Sequence, residues 1–301
     1  MACSRKWVGL MPRRAMWLPT DEHHRPPRPS GFRMRYVWRP SPFIAFSVGV
    51  HGAAIVGWIW NPDCWPYALG AMACNQVAII FAGLLPKSAL LGSNLTRLPA
   101  AAIHRQEVAI TIDDGPTPEV TPRVLEILET FGAKATFFCI GDRVQRYPDL
   151  CRKIVACGHL IENHGQTHRK RYAFLGYRGW LREVGSAQET IAAVTGRAPR
   201  CFRALAGIRN PFLDPVLARF NIRLASWTHR GFDTRVTCPD QVFFRLTRHL
   251  SSGDILLLHD GNCARSASGM PIILEVLPRL LQEIKDRNLN AVTLEGACDR
   301  H

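Results

Sequence analysis

From residue 107 onward, short apolar runs alternate with longer amphipathic segments. Seven runs read as strands: 107–112, 134–139, 159–162, 200–204, 222–227, 254–258 and 290–294. Segments with helical periodicity separate them, at 118–131, 147–157, 179–194, 211–220, 239–250 and 271–287, and several open on Pro, as helix starts prefer. Strand–helix alternation predicts a parallel sheet, and seven units predict an α/β fold of the distorted (β/α)7-type barrel kind. Upstream the pattern changes. Phe43 to Trp60 is apolar apart from Ser47 and His51, and Trp65 to Leu85 is mostly apolar with Asn75 and Gln76 in its middle. The stretch "NPDC" between them reads as a turn. A membrane span needs about 20 apolar residues, so the barrel is expected to follow an N-terminal hydrophobic helical hairpin.

Charge sharpens that picture. The chain carries 38 Lys and Arg against 24 Asp and Glu, a net +14. The first 40 residues hold nine basic residues against Asp21 and Glu22, a balance of +7. Basic residues thus precede the first apolar run, and Lys87, Arg97 and Arg105 follow the second, while the turn has none and carries Trp58, Trp60, Trp65 and Tyr67. The positive-inside rule then puts both ends of the hairpin in the cytoplasm of a bacterial inner membrane, with the aromatics at the far interface. Two alternatives stay open. One is a single anchor or signal segment with an exported domain, "ALGAMA" serving as a cleavage region. The other is a hairpin lying on the membrane surface. Residues 1–40 form an Arg/Pro-rich tail expected to be disordered, and Met34 is an alternative start. The expected organisation is tail 1–40, hairpin 41–86, linker 87–105 and catalytic barrel 106–298. Ten cysteines show no CxxC pair and seven follow residue 100, which fits reduced thiols better than a disulfide framework. The basic excess sits beside apolar spans without an aromatic–basic motif, so nucleic acid is not an expected partner.

In parallel barrels chemistry collects at the C-terminal ends of strands. There the sequence places Asp113 and Asp114, then His164 and His168 in "NHGQTH", Arg203 in "FRALAGIRNP", Asp233 in "HRGFDT" and His259 in "LLLHDG". His164 and His168 are four apart, a spacing that on a helical turn lets two imidazoles share a metal. Two histidines and a carboxylate make an open metal site, and one of the adjacent aspartates can complete it. The other can then accept the proton of an attacking water. A cation makes the adjacent like charges tolerable. Gly115 lets the chain turn without blocking the site, and Pro116 stiffens its exit. Each residue also has an ordinary explanation: a turn or cap for the aspartates, a rim ion pair for Arg203 or Asp233, a core histidine for His259. Arg209 competes with Arg203.

"TIDDGP", "HGQTH", "FRALAG", "RGFDT" and "LLLHD" resemble, in order and spacing, the five motifs of NodB-type polysaccharide deacetylases, carbohydrate esterase family 4. The resemblance implies a distorted (β/α) barrel that removes acyl groups from sugars with a divalent metal, commonly zinc. Carried over residue by residue, it implies Asp113 as catalytic base, Asp114, His164 and His168 as metal ligands, and Arg203 as the residue that orients the base. Asp233 would tune His259, the general acid, and the backbone N–H of Ala206 would meet the oxyanion.

The chain also departs from the family pattern. Gly165 stands where Ser or Thr is usual, Ala204-Leu205-Ala206 lacks the usual bulky residue after Arg203, and Thr234 replaces a Trp. Phe232 and Trp227 are candidates to replace part of that aromatic wall. The expected substrate is an acylated amino sugar bearing acetyl or formyl, lipid-linked if the site is cytoplasmic and polymeric if it is exported. "LAGIR" is also similar to the third-motif region of lipid-linked aminoarabinose deformylases. A third reading is a membrane-attached glycan-binding module that has lost turnover.

Overall fold

The computed structural model describes residues 38–168 and 172–299. The basic tail up to residue 37, with Met34, lies outside them. Eight parallel strands form one curled sheet: β1 Glu107–Asp113, β2 Ala135–Cys139, β3 Leu160–Asn163, β4 Cys201–Phe202, β5 Arg223–Leu224, β6 His229–Arg230, β7 Ile255–His259 and β8 Asn290–Val292. Their order is β5-β4-β3-β2-β1-β7-β6, with β8 pairing the first half of β1. The expected α/β barrel is thus present as a curled half-barrel with helices outside. The principal helices of this part are α3 Ala100–His104, α4 Thr121–Thr130, α5 Gly141–Arg146, α6 Pro148–Ala156, α7 Tyr177–Thr195, α8 Leu213–Phe220, α9 Pro239–Thr247, α10 Ile272–Asp286 and α11 Leu294–Asp299. β6 was not among the expected strands, because His229 and Arg230 are polar and interrupt any apolar run.

All seven residues of β1 are buried, as in a strand covered on both faces. Val108, Ile110 and Ile112 pack outward with Leu256 and Leu258 against the helices. Ala109 packs inward with Phe138, Ile255 and Leu257. Successive side chains alternate, so Asp113 and His259 continue the inward file. Register puts Asp113 beside Phe138 on one neighbour and His259 on the other. The strand period therefore delivers a carboxylate and an imidazole to adjacent inward positions at the barrel mouth.

Two long apolar helices precede the barrel, α1 Pro42–Trp60 and α2 Trp65–Leu84, joined by a short 3-10 turn. Both are long and apolar enough to cross a membrane, and little of either is buried by protein. Ser41 caps α1 by accepting from the Ile44 N–H at 3.2 Å. Their polar residues meet: Ser47 Oγ donates to Asn75 Oδ1 at 3.1 Å, and the Asn75 amide lies 3.2 Å from His51 Nδ1.

Residues 85–99 connect hairpin to barrel, and they bond closely to it. Leu95 bridges Ala225 in parallel, accepting from Ser226 N at 2.9 Å and donating to Leu224 O at 2.9 Å. Thr96 O accepts from Thr228 Oγ1, and Leu98 N donates to Gly253 O. This segment fills the seam between the two edge strands, β5 and β6. The end of α2 also touches the barrel: Arg209 N donates to Gly83 O at 3.0 Å, and Pro86 O accepts from Ser226 Oγ at 2.7 Å.

Candidate active site

Asp113 ends β1 and Asp114 begins the loop, with Asp114 in the left-handed region at φ 74°. That turn separates the two side chains. Asp113 points into the barrel, where Arg203 Nη1 donates to its Oδ1 at 2.8 Å. Arg203 is fully buried and spends its other donors on Thr111 Oγ1 at 2.7 Å, Ser226 O at 2.7 Å and Ala225 O at 3.2 Å, over the Phe138 ring. Every direction of the guanidinium is thus fixed, and one carboxylate oxygen of Asp113 is left over. Arg209, the competing arginine, donates instead to Ser88 O and to Gly92 O and fastens the connecting segment.

Asp114 faces the histidines. Its Oδ1 lies 3.2 Å from His164 Nε2 and 2.9 Å from His168 Nε2, and all three ligand atoms fall within 4.8 Å of one another. Asp114 Oδ1 and His168 Nε2 are buried without a hydrogen-bond partner. His164 Nδ1 sits 2.9 Å from Arg203 O, and a carbonyl can only accept, so that nitrogen carries the proton and Nε2 presents its lone pair. One carboxylate oxygen and two imidazole nitrogens converging this closely suit a divalent transition metal. Burial works to raise the Asp114 pKa, but the two imidazoles overcome it and hold the carboxyl ionised far below its usual range. Burial likewise works to lower His164, and the charges of Asp113 and Asp114 outweigh it and raise it.

The two histidines do not lie on a helical turn, as their spacing suggested. Residues 164–168 form a loop with Gly165 at φ 83° and His168 at φ 52°. A side chain at Gly165 would collide: a Cβ there would stand 2.7 Å from Tyr172 Oη. Tyr172 Oη accepts from His168 N at 2.7 Å and donates to Glu183, which also accepts from Thr167 N at 2.5 Å. The missing hydroxyl at 165 is therefore answered by a tyrosine and a glutamate from further along the chain. Gly115 serves a similar close approach, since a Cβ there would meet the Asp260 carboxylate at 2.5 Å.

His259 Nδ1 is 2.8 Å from Asp233 Oδ1, and the His259 N–H donates to Asp233 Oδ2 at 2.7 Å. Burial alone would lower the imidazole pKa; Asp233 above all, then Asp113 and Asp114, raise it to about 9. His259 is therefore a cation at neutral pH, with Nε2 as its remaining donor. Ala206 is exposed at φ 52°, three residues beyond Arg203. Trp227 is buried beside Arg203 and does not serve as a wall, whereas Phe232 is 44% exposed.

Several contributors were not visible in the sequence. Asn262 Nδ2 donates to Asp114 Oδ2 at 3.1 Å, and Asn163 Oδ1 accepts from Gly165 N at 2.8 Å. Thr111 shares the inward file of β1, and that alternation was the available signal. Arg230 lies over Trp227 and Phe232, and no hydrogen-bonding or acidic partner contacts its side chain among the described residues.

A parallel half-barrel with a two-imidazole, one-carboxylate cluster at its strand ends defines a hydrolase-type barrel. The sequence model for polysaccharide deacetylase matches residues 101–225. The chain is 33% identical over 189 residues to a peptidoglycan-N-acetylglucosamine deacetylase of Bacillus cereus, covering 62% of this chain and 85% of that one. It is 33% identical over 159 residues to a chitooligosaccharide deacetylase of Azorhizobium caulinodans, covering 52% and 75%. The fold is shared with a crystal structure of a peptidoglycan N-acetylglucosamine deacetylase at TM-score 0.62 and 22% identity, over 69% of this chain and 94% of that one. The chain belongs to the polysaccharide deacetylase family, and with it to the deacetylase-type amide hydrolases.

Proposed function

We propose that this protein is a metal-dependent hydrolase that removes an acetyl or formyl group from an amino sugar carried on a membrane lipid, with its catalytic barrel on the cytoplasmic side of a bacterial inner membrane. The division into tail, membrane hairpin, connecting segment and catalytic barrel belongs to the same proposal. The convergence of Asp114, His164 and His168 on one point, beside a separately held Asp113, carries the reading.

Asp114, His164 and His168 would hold the metal. A divalent cation, zinc in this reading, supplies Lewis-acid polarisation of the acyl carbonyl and acidifies water when bound. Asp113 takes the proton of the attacking water through the oxygen that Arg203 leaves open. Water oxygen bonds to the acyl carbon, the carbonyl electrons move to oxygen, and the Ala206 N–H donates to that oxyanion. The C–N bond then breaks, and His259 Nε2 gives its proton to the departing amine. Asp233 keeps the imidazole charged and aimed until that moment.

Two observations support a lipid-linked substrate. The end of α2 lies against the loop that carries Ala206. Arg230, whose side chain no carboxylate contacts although Asp113, Asp233 and Asp114 act on it from further off, suits the phosphate through which such sugars are attached. The test is acetate or formate release from lipid-linked acyl amino sugars by the metal-loaded protein, lost with chelator and restored with zinc. Absence of release from every acylated amino sugar would overturn hydrolysis. The names of the relatives favour a second reading, an exported enzyme acting on peptidoglycan or chitooligosaccharide. A C-terminal reporter fusion decides: a periplasm-active reporter selects the exported enzyme.

A further inference from the structure

We propose that the barrel itself, and not only the hairpin, docks on the bilayer: the loops flanking the active-site mouth form an interfacial surface fitted to anionic lipid. The proposal rests on the reading that α1 and α2 are inserted, and it is independent of hydrolysis.

The surface is assembled around residues 209–214. Asn210 Nδ2 donates to Ala173 O and Leu175 O, at 3.1 and 2.7 Å. Trp38 Nε1 donates to Asp214 Oδ2 at 2.9 Å, just before α1 begins. Arg209 binds Gly83, Ser88 and Gly92 of the hairpin end and connecting segment. Three separate pieces of chain are thereby held to one hub beside the hairpin. Each presents an apolar side chain to the outside: Phe174 is 88% exposed, Phe212 50%, Leu90 47% and Trp38 39%. No packing inside the barrel requires large apolar groups at these positions. Phe174 follows the metal-ligand candidate His168 by six residues, and Phe212 follows Ala206 by six, so both apolar side chains lie on segments that continue from loops of the site.

Charge selects the partner. In the stretches 38–41, 85–92, 172–182 and 209–219, the exposed ionisable residues are Arg39, Lys87, Arg178, Arg182 and Arg219. The acid in the 209–219 stretch, Asp214, is buried against Trp38, and none of the four exposed arginines has an acidic partner among the described residues. Exposed aromatic and aliphatic side chains on stretches whose exposed charges are all basic are what a headgroup layer with anionic phosphates accepts. Each Lys or Arg near such a surface adds to the attraction. The hub is bonded to Gly83 at the end of α2 and to Trp38 just before α1, and both helices are apolar enough to span the bilayer. Docked this way, the mouth meets a sugar at headgroup depth.

The test is hydrogen exchange on the full chain in nanodiscs containing phosphatidylglycerol, in phosphatidylcholine discs, and in amphipol. Amides of 172–178 and 209–213 should exchange at least about tenfold more slowly in the anionic discs than in amphipol, with phosphatidylcholine discs between, while exposed amides of α6 stay unchanged. The pair R178E/R182E should abolish the difference between disc types. The pair F174S/F212S changes exposed side chains and should lose protection in both. Equal exchange in all three environments overturns the proposal. So does equal protection in amphipol, which would assign the face to a second copy of the chain. Failure of the chain to stay with the discs overturns both insertion and docking. Protection without acyl release leaves docking intact and sinks the hydrolase reading alone.

Discussion

Asp233 sets the charge of His259, and its contribution can be measured. The raised imidazole pKa means His259 is protonated below about 9 and loses its acid function as pH rises through that value. The stability contributed by the Asp233–His259 pair follows the same sign: fully present below the unfolded value near 6.5 and lost as pH passes about 9. In D233N the alkaline limb of the pH–rate profile should move down by about 1–2 pH units, since a hydrogen bond to a charged group contributes about 1.5–3 kcal/mol. An unmoved limb would remove His259 from the acid role. Arg203 is a buried cation facing a buried anion, and breaking such a pair costs about 3–5 kcal/mol. R203M should therefore lower the denaturation midpoint as well as activity. Arg203 and Asp113 were legible in the sequence because each closes an apolar run. For Thr111 strand alternation gave the inward position but not its partner, and for Asn262 neither was legible, because a single hydroxyl or amide shows no partner until the fold supplies it.

The loop that carries His164 and His168 is held by Tyr172 and Glu183 rather than by helical hydrogen bonds. Partners outside the ligand set typically change metal affinity by about 10–100-fold when removed. Y172F and E183Q should weaken zinc binding by that order in a competition titration, while the melting temperature measured without metal shifts little. The i, i+4 spacing singled out two histidines that the structure does bring together, but by a different geometry: a left-handed glycine, not a turn of helix, places them side by side. Tyr172 lies four residues beyond His168 and Glu183 a further eleven, so no local period joins them. The hairpin makes the complementary case. Ser47, His51 and Asn75 were plain as exceptions in apolar runs, but their meeting across α1 and α2 required the pairing itself. N75L should loosen that pairing by about 0.6–1.7 kcal/mol, the range for hydrogen bonds between helices in membranes; helix-separation measurements in nanodiscs read it out.

Over the whole molecule, the alternating strand and helix pattern disclosed the parallel sheet and its sidedness, because each apolar run had to be covered on both faces. It did not disclose how the sheet is completed. β6 is two polar residues, and the seam beside it is filled from residues 95–98, which carry no strand pattern and read as a linker. Truncation should separate the two functions of the N-terminal part. Removal of residues 1–84 leaves the seam bonds of Leu95 and Leu98 in place and should give a folded barrel. Removal through residue 99 exposes the unpaired edge of β5 and should give aggregated protein. Sedimentation and circular dichroism on the two truncations check this, and a soluble, folded shorter form would show that the seam is dispensable.

The position of that seam segment also fixes a sequence of events during synthesis. It leaves the ribosome after the two apolar helices and before any of the eight strands, so the piece that finally joins the edges exists first. The barrel must condense around a staple that is already made, and the last strands to emerge find the closing piece of their sheet in place.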